Sequence, residues 1–566
     1  MRFVILVLLI VFLGCEKFDA TNVSCDEKNK CPENHFCHID KCVESNCKGE
    51  TKDKFGENCA EKQECNLFTG MCGMPTDCDV NGLIKIVECP TNKIKKATYK
   101  CIDGKAIIEC EDDDECTHNT IEISECGFGD ENPETADELT ETEVICYNGE
   151  WLCSIFANQT GTDNNDWAYS TAVDSKGNIY ITGETKGDFD SNPNSGGNCG
   201  IESDPLVCAD VFVVKYDKFG IKTGATLFGR ERNNWGAALK VDSEDNIIIV
   251  GSTDYTLLST TNTAFVNDVF IRKYNSNLEV EWTKELGGYT SANYYSNDYG
   301  LGVALDSNDN IYITGHTTGE VENNVFEGEI DYFLVKYDKS GNLVYKKQFG
   351  TKGKDLGNGI TVTSDGFIYI TGSTTKSFKD FENKGGTDIF ISKFDIDGNL
   401  IWTKQEGTSG NDEANKVVAD GNNVYITGYV NGILSPNVSL GESDAFLIKY
   451  DSNGNKQWSK QFGTSGNDGG NSIAISGNGN IYVTGSVGGS LNGNDYFGGK
   501  DIFLSEFDSL GNNILTKQWG TINEDDATDI VIDSNNYIYI SGKTTGNLYS
   551  NINSGGTDAF LIKWKE

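Results

Sequence analysis

The segment Tyr-Ile-Thr-Gly, exact or closely copied, ends at Gly183, Gly251, Gly315, Gly372, Gly428, Gly485 and Gly542. A period longer than a hairpin and shorter than a domain marks a structural repeat, and such units must lean on their neighbours to bury a core. A second marker runs in register: Asp-x-Phe at Asp210, Asp268, Asp331, Asp388, Asp444, Asp501 and Asp558 opens runs such as Ala-Phe-Leu-Ile-Lys-Tyr. These runs are β-branched and aromatic, so they read as strands. In Asn-Ile-Tyr-Ile-Thr-Gly both alternate faces are apolar, which suits a strand covered on both sides. Four extended segments per repeat, with no helical spacing of apolar residues, make one propeller blade. The expected fold is therefore all-β: a seven-bladed β-propeller of four-stranded antiparallel blades over residues 151–566.

The two ends argue for a closed ring. Internal repeats finish on an outer strand such as Trp402 to Gly407 or Trp458 to Gly463, whereas the chain stops just after Asp558 to Trp564. A spare copy is expected at Trp151 to Phe156, ahead of Asn164-Asn165-Asp166, to complete blade seven. Closure leaves no open sheet edge. The linked motifs resemble the seven-bladed β-propeller repeat family of bacterial surface proteins, with its Asn-Ile-Tyr-Ile-Thr-Gly and Gly-Gly-x-Asp-Ala-Phe-Leu-x-Lys-Tyr signatures. That resemblance implies the fold and says little about activity, because propellers serve as platforms, scaffolds and enzymes alike.

Ahead of the propeller, residues 1–14 read as a secretory signal, with one Arg and an apolar run from Phe3 to Leu13, too short to span a bilayer as a retained helix. Phe12-Leu13-Gly14-Cys15 resembles a bacterial lipoprotein signal, which implies lipid attachment at Cys15 and a short anchored linker, 15–24; Glu16 implies the outer membrane. Of 19 cysteines, setting aside Cys15 leaves an even number, as expected of disulfides in an oxidising compartment. Most fall in 25–150, a region of small crosslinked modules. Cys199 and Cys208 stand alone in a blade-one loop and are expected to pair. His35 and His38 beside Cys31 and Cys37 match no standard zinc spacing, so disulfides are favoured there too.

The net charge of −40, from 86 acidic and 46 basic residues, disfavours nucleic acid and bare anionic membrane as partners. Asp-Ser-Asn-Gly-Asn at Asp451 and Asp-Ile-Asp-Gly-Asn at Asp395 lack the bidentate Glu of a calcium loop and read as tight turns. Trp282, Trp402 and Trp458 read as blade-to-blade packing. A second carboxylate set, Asp166, Asp298, Asp355, Asp412, Asp468 and Asp525, with Asn234 in blade two, precedes the innermost strands. It is a weak candidate cation ring that calcium would fill, set against carboxylates that accept N–H bonds in their own turns.

Enzymatic signatures are sparse: four histidines, with only His316 in the propeller, and no nucleophile elbow in the right strand context. No cofactor is expected. The variable loops Glu184 to Ala209 and Gly287 to Tyr299 share one face, and Tyr289, Tyr294, Tyr295 and Tyr299 are the expected ligand contacts. The expected protein is a monomeric, non-catalytic surface lipoprotein that binds an extracellular protein or glycan, with a polysaccharide hydrolase or lyase, or a structural spacer, as alternatives.

Overall fold

A computed structural model describes residues 156–565, apart from loop residues 190–193, 195–207, 231, 255–256, 258–266, 288–295, 322–327, 435 and 550. Of the N-terminal part it describes only strand backbone. The chain divides into two compact units, Met1–Cys153 and Ser154–Glu566.

The second unit is seven four-stranded antiparallel sheets in sequence order. In blade four, Asp355–Val362 is innermost, followed by Ile368–Thr374, Asp388–Phe394 and the outer strand Leu400–Glu406. The second and third strands are buried along their whole length, while the outer strand opens on two exposed residues. Sequence dictates this gradient. Ile-Tyr-Ile-Thr-Gly offers apolar groups to both faces, so it is stable only between two neighbouring sheets.

The core accordingly lies between blades: one cluster joins Ile248, Val250, Val269 and Ile271 of blade two to Val303, Ile313, Phe333 and Val335 of blade three. Each inner strand also carries a bulge near its start, as between Ala168 and Ser170 or Gly470 and Ser472, which bends the strand.

In blades three to six the outer hairpins close on Asp-x-x-Gly-Asn turns. Asp451 Oδ1 accepts the N–H groups of Asn453 and Asn455, both at 2.9 Å, and Oδ2 accepts Asn455 Nδ2 at 2.8 Å. Asp395 repeats the arrangement with Asp397 and Asn399. The carboxylate thus organises its own turn. Gly454, at φ 80°, sits under the preceding blade's tryptophan: a Cβ there would lie 3.1 Å from Trp402 Cε2. Trp282 and Trp458 meet Gly341 and Gly511 in the same way, so these rings do join blades.

The ring closes as the sequence implies, with one correction. Blade seven comprises Asp525–Ile532, Ile538–Thr544, Asp558–Trp564 and an N-terminal outer strand, but that strand is Phe156–Thr160, not Trp151 to Phe156. Ala559 pairs with Thr160 and Lys563 with Phe156. Trp151 instead belongs to Glu150–Cys153, paired with Thr142–Tyr147 in the first unit, so the propeller begins five residues later than the aromatic match suggests.

Gln159 sets the register. Its Nε2 donates to Asp558 Oδ2 at 3.0 Å and its Oε1 accepts the Leu548 N–H at 3.0 Å. Gln348, Gln405, Gln461 and Gln518 make the same bond to Asp331, Asp388, Asp444 and Asp501 at 2.7–2.9 Å. Phe156 takes the tryptophan's place against Gly220 of blade one.

Candidate functional site

Two rows of aspartates occupy the junctions between blades. Asp166, Asp355, Asp412 and Asp525, each fully buried, open their inner strands, and Asp468, at 2 % exposure, directly precedes its own. The threonine four residues earlier donates twice to each carboxylate, through its N–H and its hydroxyl. For Asp166 the donor is Thr162, at 2.6 and 3.0 Å; for Asp355 and Asp525 the donors are Thr351 and Thr521, at 2.6 and 2.9 Å. Thr408 and Thr464 serve Asp412 and Asp468 likewise. Asp298 accepts the Ser296 hydroxyl at 2.8 Å. In blade two Asn234 Nδ2 donates to the Arg230 and Ala209 carbonyls, at 3.2 and 3.3 Å.

These side chains are engaged in the turns that join blades. Among the described residues no group of three or more His, Cys, Asp or Glu is placed to hold a metal ion.

The Asp-x-Phe aspartates form the second row and meet the first at a glycine. A Cβ on Gly161 would fall 2.2 Å from Asp558 Oδ1 and 3.0 Å from Asp166 Oδ2. Gly463 lies similarly between Asp468 and Asp444. Carboxyl groups this close and this dry favour retention of a proton. Burial, opposed by Thr185 and Thr162 and assisted by Asp558, pushes Asp166 up to about 6. Burial with Asp298 and Glu285 pushes Asp268 up to about 7.

One residue further along the inner strands, at one mouth of the channel, the chemistry changes. The residues directly after the leading Asp or Asn are Trp167, Trp235, Tyr299, Leu356, Glu413, Gly469 and Asp526. The first three make an aromatic arc across three consecutive blades. Trp235 stacks on Tyr299 at 5.8 Å between centroids, and Tyr299 contacts His316 at 4.8 Å. All three rings of the arc are part-exposed. Asn267 Nδ2 donates to the Tyr299 hydroxyl at 2.9 Å, fixing that ring. Burial lowers His316 to about 4, so its imidazole is neutral.

Trp167 is flanked by two ammonium groups, Lys186 at 5.6 Å and Lys543 at 5.8 Å from its ring centre. Glu184, paired across the sheet with Trp167, is raised to about 7 by burial, with Lys186, Tyr169 and Lys543 opposing. A cleft of about 480 Å3 lined by Thr162, Asp163, Asn164, Lys186, Gly187, Asp188 and Asn194 adjoins through Lys186. The arc can therefore offer flat apolar faces bordered by charge, the usual make-up of a small-ligand site.

Of the four expected tyrosines, Tyr299 belongs to this arc, while Tyr289, Tyr294 and Tyr295 lie outside the described residues. Cys208 is buried and disulfide-bonded; Cys199 and Cys15 lie outside the described residues. Trp167 and Trp235 fall outside the expected contacts. Their signal was an aromatic directly after the Asp or Asn that opens an inner strand.

Together these features define a closed seven-bladed propeller assembled from sequence repeats. The pattern of a β-propeller repeat matches residues 155–190, 281–320, 344–379, 457–491 and 516–550. The chain is similar to the regulatory protein FlaEY of Caulobacter vibrioides, 31% identical over 183 residues, which cover 30% of this chain and 19% of that protein. An uncharacterized WD repeat-containing protein of Acanthamoeba polyphaga mimivirus is 24% identical over 374 residues, 53% of this chain and 26% of the relative. The chain thus spans about a quarter or less of these relatives' length.

Among solved structures, the Neurospora crassa Pan2 WD40 domain matches 72% of this chain and all of its own at 9% identity, TM-score 0.39. The polysaccharide lyase Uly1 matches 71% of this chain and 89% of its own at 10% identity, TM-score 0.38.

Proposed function

We propose that the propeller is a binding platform that holds a glycan at the channel mouth, without turning it over. The observation that supports this reading is the aromatic arc of Trp167, Trp235 and Tyr299, repeated at one strand position in three adjacent blades. Aromatic faces pack against the C–H faces of sugar rings, and the neighbouring Glu184, Lys186 and Lys543 supply orienting hydrogen bonds to hydroxyls. A rigid sheet end holds the rings in place before the ligand arrives, which reduces the entropy cost of binding.

On a glycan array, the native protein is expected to retain a defined set of saccharides. Trp167→Ala and Trp235→Ala should each weaken that binding by about tenfold or more, the scale of one lost aromatic contact. Unchanged affinity in both variants would remove the arc from the site.

A second reading, an extracellular polysaccharide hydrolase or lyase, draws on Glu184, whose raised pKa beside Tyr169 suits a proton-transfer group. Turnover of a bound saccharide that disappears in Glu184→Gln would select it.

The export signal and Phe12-Leu13-Gly14-Cys15 support a cell-surface placement by acyl chains on Cys15. Metabolic labelling with a fatty acid is expected to mark the native chain and to leave Cys15→Ser unmarked and released from membranes. Equal labelling of both would disprove the anchor.

A further inference from the structure

Beyond the rim, the fifth and seventh residues of each blade, counted from the Asp or Asn at the head of its inner strand (Asp468 in blade six), are Gly, Ala, Val, Ser or Thr everywhere except Lys240, Lys416 and Asp529. Asp529 of blade seven accepts the Ser170 hydroxyl at 2.7 Å and the Thr171 N–H at 3.0 Å, both from blade one. It also accepts the Ser472 hydroxyl of blade six at 2.7 Å and pairs with Lys416 Nζ of blade five at 3.7 Å. Groups from blades one, five and six reach a carboxylate of blade seven only near the axis of the ring. Blade two joins them: the Leu239 N–H, adjacent to Lys240, donates to Ser170 Oγ at 3.1 Å.

The charges at this point do not balance. Two ammonium groups share one carboxylate, whose oxygens already accept three hydrogen bonds and pair with Lys416. Among the described residues Lys240 has no hydrogen-bond or ion-pair partner, and its side chain is open to solvent. Its pKa is nonetheless lowered, first by desolvation and further by Lys416, against the pull of Asp529. Exposure and desolvation coexist where a side chain stands in water inside a protein-walled channel. An enclosed, weakly solvated cation whose one nearby carboxylate is shared with a second ammonium group attracts an anion.

We propose that the channel binds one small oxyanion, sulfate-like or carboxylate-like, between Lys240 and Lys416, at a site separate from the aromatic arc. Ser170 and Ser472 hold Asp529 and so fix Lys416 in place, while Lys240 supplies the open donor. The acidic exterior of the molecule disfavours anions elsewhere on its surface, which makes a single site measurable.

The test is equilibrium dialysis of the full-length protein against radiolabelled sulfate, with ionic strength held constant by sodium chloride. The native chain is expected to take up one equivalent saturably. Lys240→Met removes an unpaired charge, so it should fold normally and lose the uptake. Asp529→Asn removes the competing carboxylate and should tighten binding about tenfold. Competition by acetate identifies a carboxylate as the better occupant, and its absence a tetrahedral oxyanion. No saturable uptake, or uptake unchanged in Lys240→Met, would overturn the proposal, whether or not the Asp529 variant folds.

Discussion

A chain shortened to begin at Thr162 is expected to lose its cooperative unfolding transition, whereas one that begins at Ser154 should keep it. The eight residues between these starts carry the outer strand of blade seven. Without them Asp558–Trp564, buried along its whole length, becomes a bare apolar edge. The loss includes the ladder from Ala559–Thr160 to Lys563–Phe156 and the bonds of Gln159 to Asp558 and Leu548. It also includes Asn158 Nδ2 to the Gly220 carbonyl at 2.7 Å, a tie between the seventh and first blades.

Net hydrogen bonds contribute about 1 kcal/mol each, and burial of Phe156 adds about 2 kcal/mol. Together they approach the whole stability of a typical domain, about 5–15 kcal/mol. The exposed edge should also pair with other molecules. Size-exclusion chromatography and urea titration of the two chains decide the matter. A monomer starting at Thr162 that unfolds within about 1 kcal/mol of the longer one would show that the ring does not depend on this strand.

The same strand shows where sequence was legible and where it was not. Blade number, strand order and the turn chemistry of Asp395 and Asp451 could be read because each repeats within the chain. Trp151 resembles Trp402 and Trp458, and that likeness places the closing strand five residues too early. That position is sterically tolerant: Phe156, Trp282, Tyr345 and Leu515 also occupy it. The glutamine three residues on is less tolerant, since it must reach a buried aspartate on one side and a loop N–H on the other. Gln159-Thr160-Gly161 was therefore the better guide.

The mouth aromatics were half visible. Tyr299 was found through its loop, whereas Trp167 and Trp235 required knowing that residues directly after Asp166 and Asn234 stand on an inner rim. The axial cluster was not legible at all, because Ser170, Lys416, Ser472 and Asp529 are brought together only by closure of the ring.

Folded-state stability is expected to be greatest in mild acid and to fall as pH rises toward 8, and Glu285→Gln should remove part of that fall. Asp166 and Asp268 hold their protons up to about 6 and 7, above the usual carboxylate range, mainly through burial. Asp355, Asp412, Asp468, Asp501 and Asp525 are raised by burial as well. A raised carboxyl pKa means the folded state binds the proton more tightly than the unfolded chain. Its contribution is complete below about pH 4 and is lost as pH climbs through the folded value.

Turn aspartates act in the opposite sense. Asp338, Asp395, Asp451 and Asp508 are lowered by hydrogen bonds from their own turns, so their contribution is present above about pH 4 and lost below it. The two sets place the maximum near pH 4, with a decline on the order of several kcal/mol by pH 8.

Blade two is the sharpest case because Glu285 stands where four other internal blades place glutamine, adding a third acid beside Asp268 and Asp298. Its Oε1 already accepts the Leu257 N–H, as the glutamines accept theirs. A glutamine would keep that bond and present Nε2–H to Asp268, as Gln348 does to Asp331 at 2.9 Å. At pH 8 the variant should gain about 1–3 kcal/mol by urea denaturation, and at pH 5 much less. An equal gain at both pH values would mean that packing, rather than proton retention, governs this junction. A loss at pH 8 would contradict the internal-repeat argument altogether.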